Sequence, residues 1–362
     1  MEKQKYRLSG FISLVMLVIW SQFMSAPFVQ PTESDADLIL FYRLTGEKSG
    51  SVWTYNVATG EETRLTPDLH NARNWSPDGS RILISEALRD DGFPDARLLV
   101  MDGDGQNHRL LTDSYDVYPG TAAWSTDGTR IIFWGIDLQV VVGQPRWAIY
   151  DVPVTGSPTR RLTKHTARNG GLAIAPDGSQ IIFTQDGRLY KLPANGGEPT
   201  TLDVPIRIGL LSWSPDGTML AGTGSGSLGT GIYVFGPDGS NLRLLDTDGL
   251  AGHVSWSPDS KEILFITDSA GGWSPTLAIV NIETNRLDTY HVGEGALEPL
   301  AAITRAVWSP DGTQIALTGR YRENNPYDSH TSIYMVDQEV TYLQRLTDSE
   351  LNDSVVQWRP RP

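Results

Sequence analysis

Ser212–Gly222 reads SWSPDGTMLAG, and near-copies of it recur along the whole chain. NWSPDGSRILI begins at Asn74, AWSTDGTRIIF at Ala123, AIAPDGSQIIF at Ala173, SWSPDSKEILF at Ser255 and VWSPDGTQIAL at Val307. A truncated copy, VQWRP, begins at Val356. The landmark position falls at Trp75, Trp124, Ile174, Trp213, Trp256, Trp308 and Trp358, with spacings of 39 to 52 residues. A period in that range marks an array of repeated supersecondary units.

Each copy reads as a hairpin. The landmark ends one strand, Pro presets φ for a turn, and Asp and Gly complete it. A second strand rich in β-branched residues follows, as in RIIFW from Arg130. A second hairpin completes each unit: LLVMDGDGQNHRLLT from Leu98, IYVFGPDGSNLRLL from Ile232 and SIYMVDQEVTYLQRLT from Ser332. VWTYNVATGEETRLT from Val52 is the same hairpin ahead of the first landmark. Four strands a-b-c-d make one propeller blade. The chain opens on a strand b, LILFYR from Leu38, and closes on a strand a, VVQW from Val355. Pairing them yields an all-β, seven-bladed propeller of four-stranded antiparallel blades, closed by the two chain ends. The expected layout is a signal peptide or signal anchor over 1–26, a linker over 27–37 and the propeller over 38–360.

Composition narrows the function. The 362 residues carry a formal net charge of -14, which argues against nucleic acid because a phosphate backbone must be met by clustered cations. The absence of cysteine excludes disulfides, a Cys nucleophile and thiolate metal sites. Lys3, Lys5 and Arg7 precede an apolar run from Leu8 to about Met24, the pattern of a secretory signal or membrane anchor. The expected location is therefore extracytoplasmic (periplasm, cell surface or secreted), with residues 8–24 an anchor if they are retained.

The W-S-P-D-G hairpin, followed by a Tyr-containing strand and an R-L-T strand, resembles the propeller repeat of the TolB family. The same repeat occurs in the non-catalytic domains of prolyl-oligopeptidase-type peptidases. The resemblance spans roughly residues 38–360 and implies the fold and an extracytoplasmic binding role. TolB carries an α/β domain ahead of its propeller, and this sequence leaves no room for one. The peptidases add a hydrolase domain with a G-x-S-x-G elbow, and no such match occurs here.

Function is expected in the d–a and b–c loops, which vary in length while the S-P-D-G turns do not. Near the axis the d–a segments bring His70, Arg73, His165, Arg168, Arg207, His253 and Arg305. If they converge they form a cationic funnel suited to a small acidic ligand or an acidic protein segment. If they do not, they are solvated side chains with local partners. The long b–c loops carry Phe93, Trp147, Trp273, Tyr321 and Tyr327, either a partner-binding rim or aromatics that pack their own loops.

His70, His165 and His253 admit a second reading, a metal-assisted polysaccharide lyase or a hydrolase, since oligogalacturonate lyases are propellers of similar repeats. Their unequal offsets from the landmark weigh against a common ring of ligands. GSGSLG at Gly224–Gly229 fits a nucleotide fingerprint in letters only, because no helix follows it, and it reads as a flexible b–c loop. No cofactor is expected. The sequence thus points to a monomeric, non-catalytic binding propeller, with the enzyme as alternative.

Overall fold

The computed structural model describes residues 37–44, 50–87, 96–112, 115–117, 122–137, 147–164, 170–245, 249–252, 254–269, 275–322 and 330–361. The basic and apolar N-terminal segment lies outside them. Among the described residues no helix is long and apolar enough to cross a membrane.

Seven antiparallel sheets form the blades. Blade 1 is the split one, ordered Glu62–Arg64, Gly50–Asn56, Leu38–Leu44, Asn352–Trp358. In blade 2 the order is His70–Trp75, Arg81–Ala87, Ala96–Asp102, Arg109–Leu110, and blades 4, 5 and 7 repeat it from Leu172–Ile174, Ile206–Trp213 and Leu300–Trp308. In blades 3 and 6 the innermost strand is broken in two, Tyr115–Val117 with Ala123–Trp124 and Gly249–Ala251 with Ser255–Trp256.

Four recurring letters explain why the repeat folds this way. In the turn, the Asp78 carboxylate accepts the Ser76 and Ser80 hydroxyls and the Ser80 N–H. Gly79 there has φ 66°, and Gly128, Gly178, Gly217 and Gly312 lie between 66° and 73°, a left-handed conformation that a Cβ would strain. Blade 6 puts Ser260 at that position with φ 64°. Its hydroxyl accepts the Asp216 N–H of the neighbouring blade at 3.0 Å.

The R-L-T threonine works differently. The hydroxyls of Thr66, Thr112, Thr163 and Thr347 accept the N–H groups of Val52, Leu98, Ile149 and Ile333 on the third strand of the same blade, at 2.9 to 3.0 Å. All four hydroxyl residues are buried, so the bond replaces water that cannot reach the strand. The landmark tryptophans, 2 to 8% exposed, are wedged between successive blades, one in each of six of the seven apolar clusters.

Closure is reinforced electrostatically. Arg43 on the first strand and Asp353 on the last form a bidentate pair, Nε–Oδ1 2.6 Å and Nη2–Oδ2 2.8 Å. Asp353 is fully buried, Arg43 also reaches Glu62, and its guanidinium lies 4.6 Å from the Trp53 ring centroid. A buried pair with both partners hydrogen-bonded fixes the register of the terminal strands. The GSGSLG segment is no flexible loop. Leu220–Gly226 and Gly229–Phe235 pair up to Gly226 opposite Gly229, so only Ser227 and Leu228 turn. A Cβ on Gly224 would meet the Arg207 carbonyl at 2.6 Å, so the glycines serve close strand packing.

Candidate functional site

The innermost strands are where the blades meet, and several of them are bulged. In blade 2 the register jumps between Ala72 and Asn74, which leaves Arg73 as the extra residue. Blade 7 has a similar shift between Ile303 and Arg305, and blade 5 one between Ile208 and Leu211. A bulge frees its extra residue from the ladder and re-aims the side chain, and such features gather at functional sites.

Arg73 donates from Nη2 and Nε to the Ser85 hydroxyl, at 2.7 and 3.0 Å. Ser85 is buried and belongs to the second strand of the same blade. Burial drives the Arg73 guanidinium down to about 10. The Tyr42 phenol acts in the opposite direction, and Arg305 adds to the lowering. Arg305 is lowered in turn by burial, again with Tyr42 opposing. Blades 7 and 2 flank blade 1 in the ring, and Tyr42 of blade 1 is within electrostatic range of both cations. Arg305 lies near enough to Arg73 to act on its charge.

Neither arginine has a carboxylate partner among the described residues, and the Arg305 Nε is buried without a hydrogen-bond acceptor. The contrast with Arg43, Arg130 and Arg160, each paired to a carboxylate, is clear. An arginine in a protein keeps its proton, and at about 10 Arg73 is still well above neutral pH. The molecule therefore holds two partly desolvated, mutually repelling cations inside a shell of net negative charge. An anion bound between them would recover charge-assisted hydrogen bonds that the protein itself does not supply.

The other expected residues are placed as follows. His70 is buried, with Nδ1 3.2 Å from the Asp68 carbonyl and 3.4 Å from that of Pro67. Its ring meets His108 edge-on at 6.3 Å, so it is held in local packing. Arg207 is exposed, its methylenes against Gly187. His165, Arg168 and His253 lie outside the described residues, so only one of the three histidines of the metal reading is placed.

Among the rim aromatics, Trp147 packs partly buried on the cluster between blades 3 and 4. Tyr321 is 44% exposed and lines a cavity of about 300 Å³ with His330, Ser332 and Arg345. Phe93, Trp273 and Tyr327 are outside the described residues. Sequence reasoning missed Ser85 and Tyr42. Both sit on second strands rather than in loops, and the available signal was a polar residue interrupting the apolar run RILIS.

No family model matches the sequence. An uncharacterised protein of Agrobacterium fabrum is 24% identical over 280 residues, which span 61% of this chain and 93% of that one. TolB from Acinetobacter baumannii superposes with a TM-score of 0.53 at 16% identity, covering 90% of this chain and 82% of its own. Oligogalacturonate lyase from Vibrio parahaemolyticus does so with a TM-score of 0.56, also at 16% identity, over 86% and 85% of the two chains. These likenesses define the class of fold: a seven-bladed propeller of the TolB type. At such identities they carry the architecture alone, and one fold hosts many activities.

Proposed function

We propose that the protein is a non-catalytic, extracytoplasmic propeller that binds the carboxylate of a small acidic ligand or of an acidic protein segment at Arg73 and Arg305. The observation that carries this reading is the pair itself: two partly desolvated guanidiniums with no carboxylate between them among the described residues. Uncompensated buried charge costs stability, and retaining it makes sense when a ligand supplies the counter-charge. The bulge that releases Arg73, and the Ser85 hydroxyl that orients it, supply the preorganisation. The basic, apolar N-terminal segment supports an extracytoplasmic location. Partner binding by the b–c rim, with Tyr321 as its exposed described member, belongs to the same reading.

A thermal-shift series on the full chain tests this, using citrate, galacturonate and a short oligo-glutamate peptide, with sodium chloride as the ionic-strength control. The expected result is a rise in melting temperature of a few degrees with at least one carboxylate ligand and none with chloride. Absence of any shift across the acids, at concentrations up to about a thousand times the micromolar range, would remove the basis for the site.

A further inference from the structure

Six landmark positions hold tryptophan, and in four of them the indole Nε1 donates to the same kind of acceptor. Trp124 reaches the Asn74 carbonyl at 3.4 Å, while Trp213, Trp256 and Trp358 reach those of Ala173, Ser212 and Val307 at 3.3 Å. Each acceptor is the residue just ahead of the landmark in the preceding blade. The indole is therefore a wedge between consecutive blades, with its N–H satisfied by main chain.

Blade 4 has Ile174 instead, and it is only partly buried. At that wedge, between blades 3 and 4, lies a cavity of about 690 Å³. Ile132, Ile174 and Ala194 supply apolar wall, and Arg130, Asp151 and Arg160 supply the polar part.

A second change accompanies the first. Two residues after the third-strand residue whose carbonyl accepts the fourth-strand leucine N–H, blades 2, 5 and 7 have Val100, Val234 and Met335. Those side chains share clusters with Trp124, Trp256 and Trp358 of the following blades. Blade 3 has Asp151 at the equivalent position, only 2% exposed at the side chain and held by Arg130 and Arg160. This wedge has thus lost its indole, and a buried ion cluster stands where blades 2, 5 and 7 face the following tryptophan with an apolar residue.

We propose that this wedge is a binding slot for the tryptophan side chain of a partner protein segment, which inserts where the other wedges hold an indole of the chain's own. The cavity lies at the place in the repeat where the other wedges hold an indole and has apolar wall from Ile132, Ile174 and Ala194, and Ala123 stands at the sequence position whose carbonyl accepts the N–H elsewhere. Two guanidinium planes border the cavity, a favourable environment for an aromatic face. The lining sets Asp127, Asp151 and Asp177 against Arg130 and Arg160, an acceptor-rich surface that suits a donor-only N–H and repels a carboxylate. The slot differs in chemistry and position from the axial arginines.

Fluorine NMR on the full chain with a short, neutral peptide carrying 5-fluorotryptophan tests the slot. The peptide resonance should broaden on addition of the protein. Ile174→Trp, which supplies the indole in cis, should weaken binding at least about tenfold and raise the melting temperature. Ala194→Leu, which narrows the opening, should also weaken binding, and it keeps the test intact if Ile174→Trp fails to fold. Three results would overturn the proposal: no broadening with the natural chain, broadening that survives both variants, or binding of free 5-fluorotryptophan without binding of the peptide.

Discussion

Thr112 shows how one repeated letter earns its place. Its hydroxyl is buried and takes the N–H of Leu98, 14 residues earlier, at 2.9 Å. Thr112→Val keeps the shape and removes the acceptor, which leaves a buried N–H unsatisfied at a cost of about 1–3 kcal/mol. Denaturant unfolding of the variant should show a lower midpoint with an unchanged slope. The R-L-T word is visible in the sequence, but its role is not, because the partner is a main-chain group on another strand. The same limit applies to the axial site. Arg73 and Arg305 are legible from their place ahead of a landmark tryptophan, whereas Ser85 and Tyr42 depend on cross-strand register. His70 has the right address in sequence, yet its neighbours Pro67, Asp68 and His108 occupy its ring.

The S-P-D-G hairpin turn is the element that carries the pH response. Asp127 is held below its ordinary 3.8, first by the Ser125 hydroxyl and then by the Thr129 N–H, with burial opposing. Asp259 is lowered chiefly by Ser257. At Asp78, Asp216 and Asp311 burial is the largest influence and acts upward, but the turn hydrogen bonds outweigh it. A depressed carboxylate stabilises the fold above its unfolded pKa, and that contribution fades as pH falls through the lower folded value. Stability should therefore decline from about pH 5 to below pH 3. The gap between the natural chain and Asp127→Asn should be widest at neutral pH and close in acid, as urea midpoints measured across that range will show. A gap that stays constant with pH would count against the turn carboxylates.

The hairpin and its tryptophan were fully legible as elements. The consequence of Ile174 was not, because a missing indole registers only when the blades are assembled around it and Asp151 is found facing the gap.

Across the whole molecule, blade number and closure follow from the sequence because the split unit leaves one strand b and one strand a without a partner. The pairing of Leu38–Leu44 with Asn352–Trp358 and the buried Arg43–Asp353 pair complete it. What periodicity cannot reveal is which loop residues meet at the axis, since that depends on bulges in the innermost strands. On the proposed reading, stability is given up there for binding. Two guanidiniums within electrostatic range of each other have no carboxylate partner among the described residues, in a chain whose net charge is -14.

Calorimetric titration of a short oligo-glutamate peptide into the natural chain, Arg73→Gln, Arg305→Gln and the double variant at fixed low salt tests this most directly. Each single substitution should weaken binding at least about tenfold, and the double variant should lose less than the sum of the two, because the arginines act on one anion. Equal affinity in all four proteins would contradict it.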